Sequence, residues 1–100
     1  MMAGGRVFTG ANVENASYGL TICAERVAAS SAVAAGEQRI EAIAVVGSAD
    51  RPTSPCGACR QFLSEFGPNM AVVVAAPDGT VTRWSLSELL PHSFGPDLLP

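Results

Sequence analysis

Lysine is absent from this chain, and charge of either sign is scarce, with Asp, Glu and Arg together making up 15% of 100 residues. Its cations are scattered singly, the net charge is −3, and no basic run or stripe appears. A duplex or a long single strand therefore has no electrostatic footprint to follow, and a small diffusible ligand fits better than a nucleic acid polymer. No apolar run reaches the roughly 18 residues of a membrane span. The first residues lack the charged-then-apolar layout of a secretory leader, so the expected location is cytoplasmic. Cysteine is limited to three, an odd number that argues against a disulfide framework. In a reducing compartment, spaced cysteines are more often metal ligands or catalytic groups. Repeats, low-complexity tracts and linkers are also missing, and the chain reads as a single domain over 1–100. What it has in quantity is apolar surface, 48% of residues, which in so small a domain favours burial against copies of itself.

The pattern of elements is α/β. Arg6 to Glu14 alternates and carries Val7, Phe8 and Thr9, which suggests a strand running into a loop. Thr21 to Ala35 is alanine-rich and reads as a helix stopped by Gly36. Ile40 to Gly47 is a short apolar run, the pattern of a strand covered on both faces. Ser54-Pro55 looks like an N-cap followed by a first-turn proline, opening a helix to Phe66. Met70 to Ala75 reads as a second buried strand, Asp78-Gly79 as a turn and Val81 to Trp84 as a further strand. Ser85 and Glu88 have capping-box spacing for a short last helix. The order β-α-β-α-β-β-α predicts a layered sheet with a right-handed crossover.

The three cysteines carry the chemistry. Cys56 and Cys59 stand three apart at the expected start of a helix, a spacing that projects both sulfurs to one face. Cys23 falls in the first turn of the other helix. Two helix N-termini then point at one site, each favouring thiolate over thiol. Three cysteines leave a fourth tetrahedral position open, as in a catalytic rather than a closed structural zinc site. A Cys-x-x-Cys pair alone is also compatible with a redox pair or half of a structural site. The single histidine, His92 beside Pro91, reads as a surface or interface residue. Glu25 lies two residues after Cys23, off the ligand's own helical face, and is placed to exchange protons with water at the open position rather than to ligate. Zinc deaminases combine a Cys or His two residues before a Glu with a later Pro-Cys-x-x-Cys, and both motifs stand here as Cys23-Ala24-Glu25 and Pro55-Cys56-Gly57-Ala58-Cys59.

With those motifs the chain resembles the cytidine deaminase family, small tetrameric zinc enzymes of pyrimidine salvage. Phe8-Thr9-Gly10-Ala11-Asn12-Val13-Glu14-Asn15-Ala16-Ser17-Tyr18 is similar to the family's ribose-binding segment. Cys23-Ala24-Glu25-Arg26 and Pro55-Cys56-Gly57-Ala58-Cys59-Arg60-Gln61 resemble its two zinc motifs, and Leu89-Leu90-Pro91 with Phe94-Gly95-Pro96 its tail. The resemblance implies a layered α/β/α fold with a mixed sheet, and a homotetramer acting on a free cytidine-type nucleoside. It implies zinc on Cys23, Cys56 and Cys59, and Glu25 passing a proton from water to ring N3 and then to the departing amine. It further implies Asn12 and Glu14 on the ribose hydroxyls, and the Ala24 backbone N–H facing the pyrimidine. Tyr18 and Phe94 would stand near a neighbouring subunit's pocket. Arg26 would donate to the sulfurs: three thiolates on Zn²⁺ sum to −1, and a guanidinium restores acidity to bound water.

The family carries an N-terminal helix and a first strand ahead of the segment that begins here, so that strand is expected to be largely missing. Three explanations stand open: a start upstream of Met1, a short form that completes its sheet by oligomerising, or an inactive fragment. Functionally, a zinc-stabilised assembly module and a deaminase of a cytosine nucleoside antibiotic are the alternatives. Asn12-Val13-Glu14-Asn15 speaks for an ordinary ribose.

Overall fold

A computed structural model describes residues 1–46 and 55–92. Two very short strands open the chain, β1 (Met2–Ala3) and β2 (Arg6–Val7), followed by a 3-10 turn at Tyr18–Leu20. Then come α1 (Ala24–Ala34), β3 (Ala42–Val46), α2 (Gly57–Ser64), β4 (Ala71–Ala75), β5 (Val81–Ser85) and α3 (Leu86–Leu89). The strands form one mixed sheet in the order β2-β1-β3-β4-β5. Only β3 and β4, joined through α2, run parallel; the other pairs are antiparallel. The expected α/β order is thus present, with β1 added at its start.

Local chemistry explains most boundaries. Gly4 and Gly5 take φ of 57° and 75°, the two positive values that a two-residue hairpin with the native strand twist requires. Helix α1 ends at Gly36, φ 95°, in a Schellman motif: the Gly36 N–H donates to the Val33 carbonyl at 3.0 Å and the Glu37 N–H to the Ala32 carbonyl at 2.9 Å. The Ser85 N–H donates to Glu88 Oε1 at 3.0 Å, closing the capping box that starts α3. Arg6 ties the hairpin to the end of α1. Its guanidinium donates to Glu37 Oε1 at 2.9 Å and to the Ala35 carbonyl at 3.0 Å, and lies 5.2 Å from the centre of the Phe8 ring.

The core lies on one face of the sheet. Paired rows Ile43–Val72–Trp84 and Val45–Val74–Thr82 meet Ala29 and Ala32 of α1, and Leu63 of α2. Alanines on α1 let the helix approach the sheet closely, while Leu63 and Leu86, in the same cluster, are fully buried.

Three expectations change. The strand at Arg6–Glu14 is two residues long, with a lone bridge from Val13 to Ile22, because its partner β1 supplies only two rungs. β3 is not covered on both faces: Ala44 is exposed and Val46 is 80% exposed, since the buried residues of α1 and α2 cluster on the alternate, Ile43–Val45 face. Both helices also start later than read. Cys23 and Cys56 are N-caps in extended backbone, ψ 151° and 166°, rather than first-turn residues. Proline at position 55 suits the extended residue before a cap as well as the first turn, so composition alone did not separate the two.

Candidate metal centre

Helices α1 and α2 pack against each other with their N-termini together. At each N-terminus the cap residue is a cysteine, and Cys59 follows one turn into α2. An N-cap side chain folds back over the first free N–H groups, so both cap sulfurs sit where the helix dipoles are positive. The Cys23 and Cys56 sulfurs are 4.0 Å apart, those of Cys56 and Cys59 3.3 Å, and all three fall within 4.8 Å of one another. Zn–S bonds of about 2.3 Å at tetrahedral angles need sulfurs about 3.8 Å apart, so this donor set fits zinc. No fourth His, Cys, Asp or Glu joins the cluster among the described residues, which leaves one coordination position free.

The sulfurs differ in environment. Backbone N–H groups of Cys59 and Ala58 point toward the Cys56 sulfur; although no cap hydrogen bond closes, they draw its thiol below the ordinary range. Burial pushes the Cys59 thiol up, and the neighbouring Cys56 sulfur and Glu25 carboxylate add to this. A dication among the sulfurs removes that penalty, because coordinated thiols are deprotonated outright. Arg26, one turn along α1, lies with Nη2 3.9 Å from the Cys23 sulfur and 3.0 Å from the Thr21 carbonyl oxygen, which it serves as donor. The Cys23 sulfur raises the guanidinium's pKa further above its already high value. Its Nε is buried without a partner among the described residues.

A cavity of about 270 Å³ opens beside the cluster, lined by Phe8, Thr9 and Gly10, by Ala24, Glu25 and Ala28 of α1, and by the Ala44–Val46 flank of β3. It does not reach the sulfurs directly. Glu25 is the link: it lines the cavity, and it stands near enough to Cys59 to help hold that thiol's pKa up. Glu25 also sits in the first turn of α1.

Cys23, Cys56, Cys59, Ala24, Glu25 and Arg26 thus come together. Asn12 and Glu14 lie apart from the cavity lining, on an exposed loop, where Asn12 Nδ2 donates to Glu14 Oε1 at 3.0 Å. Tyr18 is 86% exposed in the 3-10 turn. Phe94 lies outside the described residues.

Two contributors were not singled out in the sequence. Gly10 lines the cavity so close to α1 that a Cβ there would meet the Ala24 carbonyl oxygen and the Ala28 nitrogen. A glycine at a strand end was the available signal. Arg60 holds the Pro55 and Leu89 carbonyls, and nothing in its spacing announces that.

Residues 2–76 match the family model described as the cytidine and deoxycytidylate deaminase zinc-binding region. The chain is 47% identical over 95 residues to a cytidine deaminase of Halalkalibacterium halodurans, an alignment covering 94% of this chain and 72% of that protein. It is 50% identical over 91 residues to a probable cytidine deaminase of Dictyostelium discoideum, covering 90% of this chain and 61% of that one. The crystal structure of cytidine deaminase from Burkholderia pseudomallei superposes with a TM-score of 0.86 at 53% identity, over 90% of this chain and 73% of that one.

Proposed function

This chain belongs to the cytidine and deoxycytidylate deaminase zinc-binding family, and from that premise we propose that it hydrolyses cytidine or deoxycytidine to uridine or deoxyuridine and ammonia. The observation that carries the reading is the union of three cysteine sulfurs within 4.8 Å and, two residues after the first of them, a carboxylate that lines the adjoining cavity. A redox pair needs only two of those sulfurs and no acid. A closed structural site needs a fourth ligand.

Cys23, Cys56 and Cys59 would hold the zinc, which when bound would supply the Lewis acidity for water activation near neutral pH. Glu25 does the proton work. Its carboxylate takes a proton from water as the oxygen attacks C4 of the ring, and delivers it to N3. It then carries a second proton to the exocyclic amine, so that the C4–N bond breaks and ammonia leaves. The Ala24 N–H, at the start of α1, is one of the helix's free donors and can face the pyrimidine. Asn12 and Glu14 bind the ribose hydroxyls; their mutual hydrogen bond sets the amide and carboxylate side by side. Arg26 offsets the charge of the sulfurs.

The enzyme acts in the cytoplasm, in pyrimidine salvage, as a homotetramer. Support for assembly comes from Tyr18, Leu20, Val13 and Ile22, which are 86%, 64%, 50% and 41% exposed around one loop next to the metal centre. Tyr18 is placed to approach a neighbour's pocket. Cytidine mixed with the zinc-loaded chain should lose ultraviolet absorbance as uridine forms, and Glu25→Ala should abolish the change while retaining zinc. Turnover that survives in that variant would refute the assignment of Glu25.

A further inference from the structure

Arg60 stands immediately after Cys59 and closes a clasp around the other cysteine of the same motif. Its backbone N–H donates to the Cys56 carbonyl at 2.9 Å. Its side-chain Nε donates to the Pro55 carbonyl, the one just before Cys56, at 2.7 Å. The carbonyl after the Cys56 α-carbon is thus held by the first hydrogen bond of α2, which any residue but proline would make, and the one before it by the Arg60 side chain. Those two peptide planes set φ and ψ of Cys56, −64° and 166°, and with them the direction in which its sulfur leaves the backbone. Cys56 is the common neighbour in the cluster, at 4.0 Å from one sulfur and 3.3 Å from the other.

The same guanidinium reaches a second element. Nη1 donates to the Leu89 carbonyl at 2.9 Å, one of the last carbonyls of α3, which have no partner within their own helix. A cation there is favourable both as a donor and against the negative end of the helix dipole. The planar fork suits this bridge, since it carries the two donors on separate, rigidly spaced nitrogens.

We propose that Arg60 is a positioning residue for the metal: it presets the Cys56 sulfur for zinc and couples that sulfur to the end of α3. The proposal rests on the zinc reading above. It implies that the segment around Leu89 influences metal affinity without contacting the metal.

The test compares wild type, Arg60→Ala and Arg60→Lys, each loaded with Zn²⁺ against a chromophoric chelator and separately with Co²⁺ for its absorption spectrum. Arg60→Ala should bind zinc about 10- to 100-fold more weakly, the range typical when a partner of a metal ligand is lost. Its Co²⁺ spectrum should show altered thiolate and ligand-field bands. Arg60→Lys, which keeps the charge and donors but gathers them on one nitrogen, should fall between. At saturating zinc, Arg60→Ala should recover most of its kcat, with KM for cytidine within about threefold. Wild-type zinc affinity and an unchanged Co²⁺ spectrum in Arg60→Ala would overturn the proposal, even if the variant melts earlier, because that pattern is purely structural. A wild-type chain that holds no zinc would overturn the metal reading itself and this proposal with it.

Discussion

Gly10→Ala is the smallest perturbation that should disturb both fold and chemistry, and its size can be worked from the geometry. The added methyl carbon meets the Ala24 carbonyl oxygen first, then the Ala28 nitrogen at 2.6 Å and the Ala28 Cβ at 3.1 Å. Ordinary contacts lie near about 3.5 Å, so something must move by about 1 Å. The first two obstacles are backbone atoms of α1, so no side chain can swing aside. Either the Phe8–Gly10 segment lifts off the helix or the first turn of α1 shifts, carrying Cys23 and Glu25 with it. Overpacking of this kind costs about 1–3 kcal/mol. At about 4–8 °C per kcal/mol for a domain of this size, melting should fall by roughly 5–20 °C. A displacement near 1 Å at a catalytic group can cost about 100-fold in rate. Thermal melting and kcat/KM of the zinc-loaded variant read the two effects separately. Gly19→Ala is the control, since a Cβ there has nothing within 4 Å and the backbone has no positive φ. If Gly10→Ala melts and turns over like Gly19→Ala, the close approach of this segment to α1 is not what positions Glu25.

Arg26→Ala should keep one zinc per chain yet lose about 10- to 100-fold in turnover, because the guanidinium 3.9 Å from the Cys23 sulfur no longer offsets the thiolate charge. Unchanged turnover at neutral pH would refute that. Zinc bridges two helix N-termini, so stripping it with a chelator should lower the melting temperature. Zinc held at 100 times its dissociation constant contributes about 2.7 kcal/mol, or roughly 10 °C or more here. A melting temperature that ignores the chelator would mean that the sulfurs hold nothing.

Features legible in the sequence were those written by neighbours in the chain. Gly36 ends α1 and the Ser85–Glu88 box opens α3, because caps depend on residues three or four apart. The Cys56–Cys59 pair was legible too, since a Cys-x-x-Cys at a helix start converges whatever surrounds it, whereas Cys23 joins from 33 residues away and was tied to the pair through the deaminase motifs. Features set by distant partners were not. Arg6 to Glu14 alternates like a strand, but how far it pairs depends on β1, which offers two residues. Ile43 and Val45 face the core while Ala44 and Val46 do not: the pleat sends alternate residues to opposite faces, and which face is covered is decided by helices distant in the chain. Cys56 rather than Ser54-Pro55 caps α2, a choice between two proline-compatible geometries. The grip of Arg60 on Leu89 spans 29 residues and leaves no periodic trace.

The central claim is a zinc ion on three cysteine sulfurs with one position left for water, and X-ray absorption at the zinc edge tests it most directly. The account predicts three sulfur neighbours at about 2.3 Å and one lighter oxygen or nitrogen neighbour. Four sulfur neighbours, as in a closed site shared between chains, or a shell of only light atoms, would contradict it.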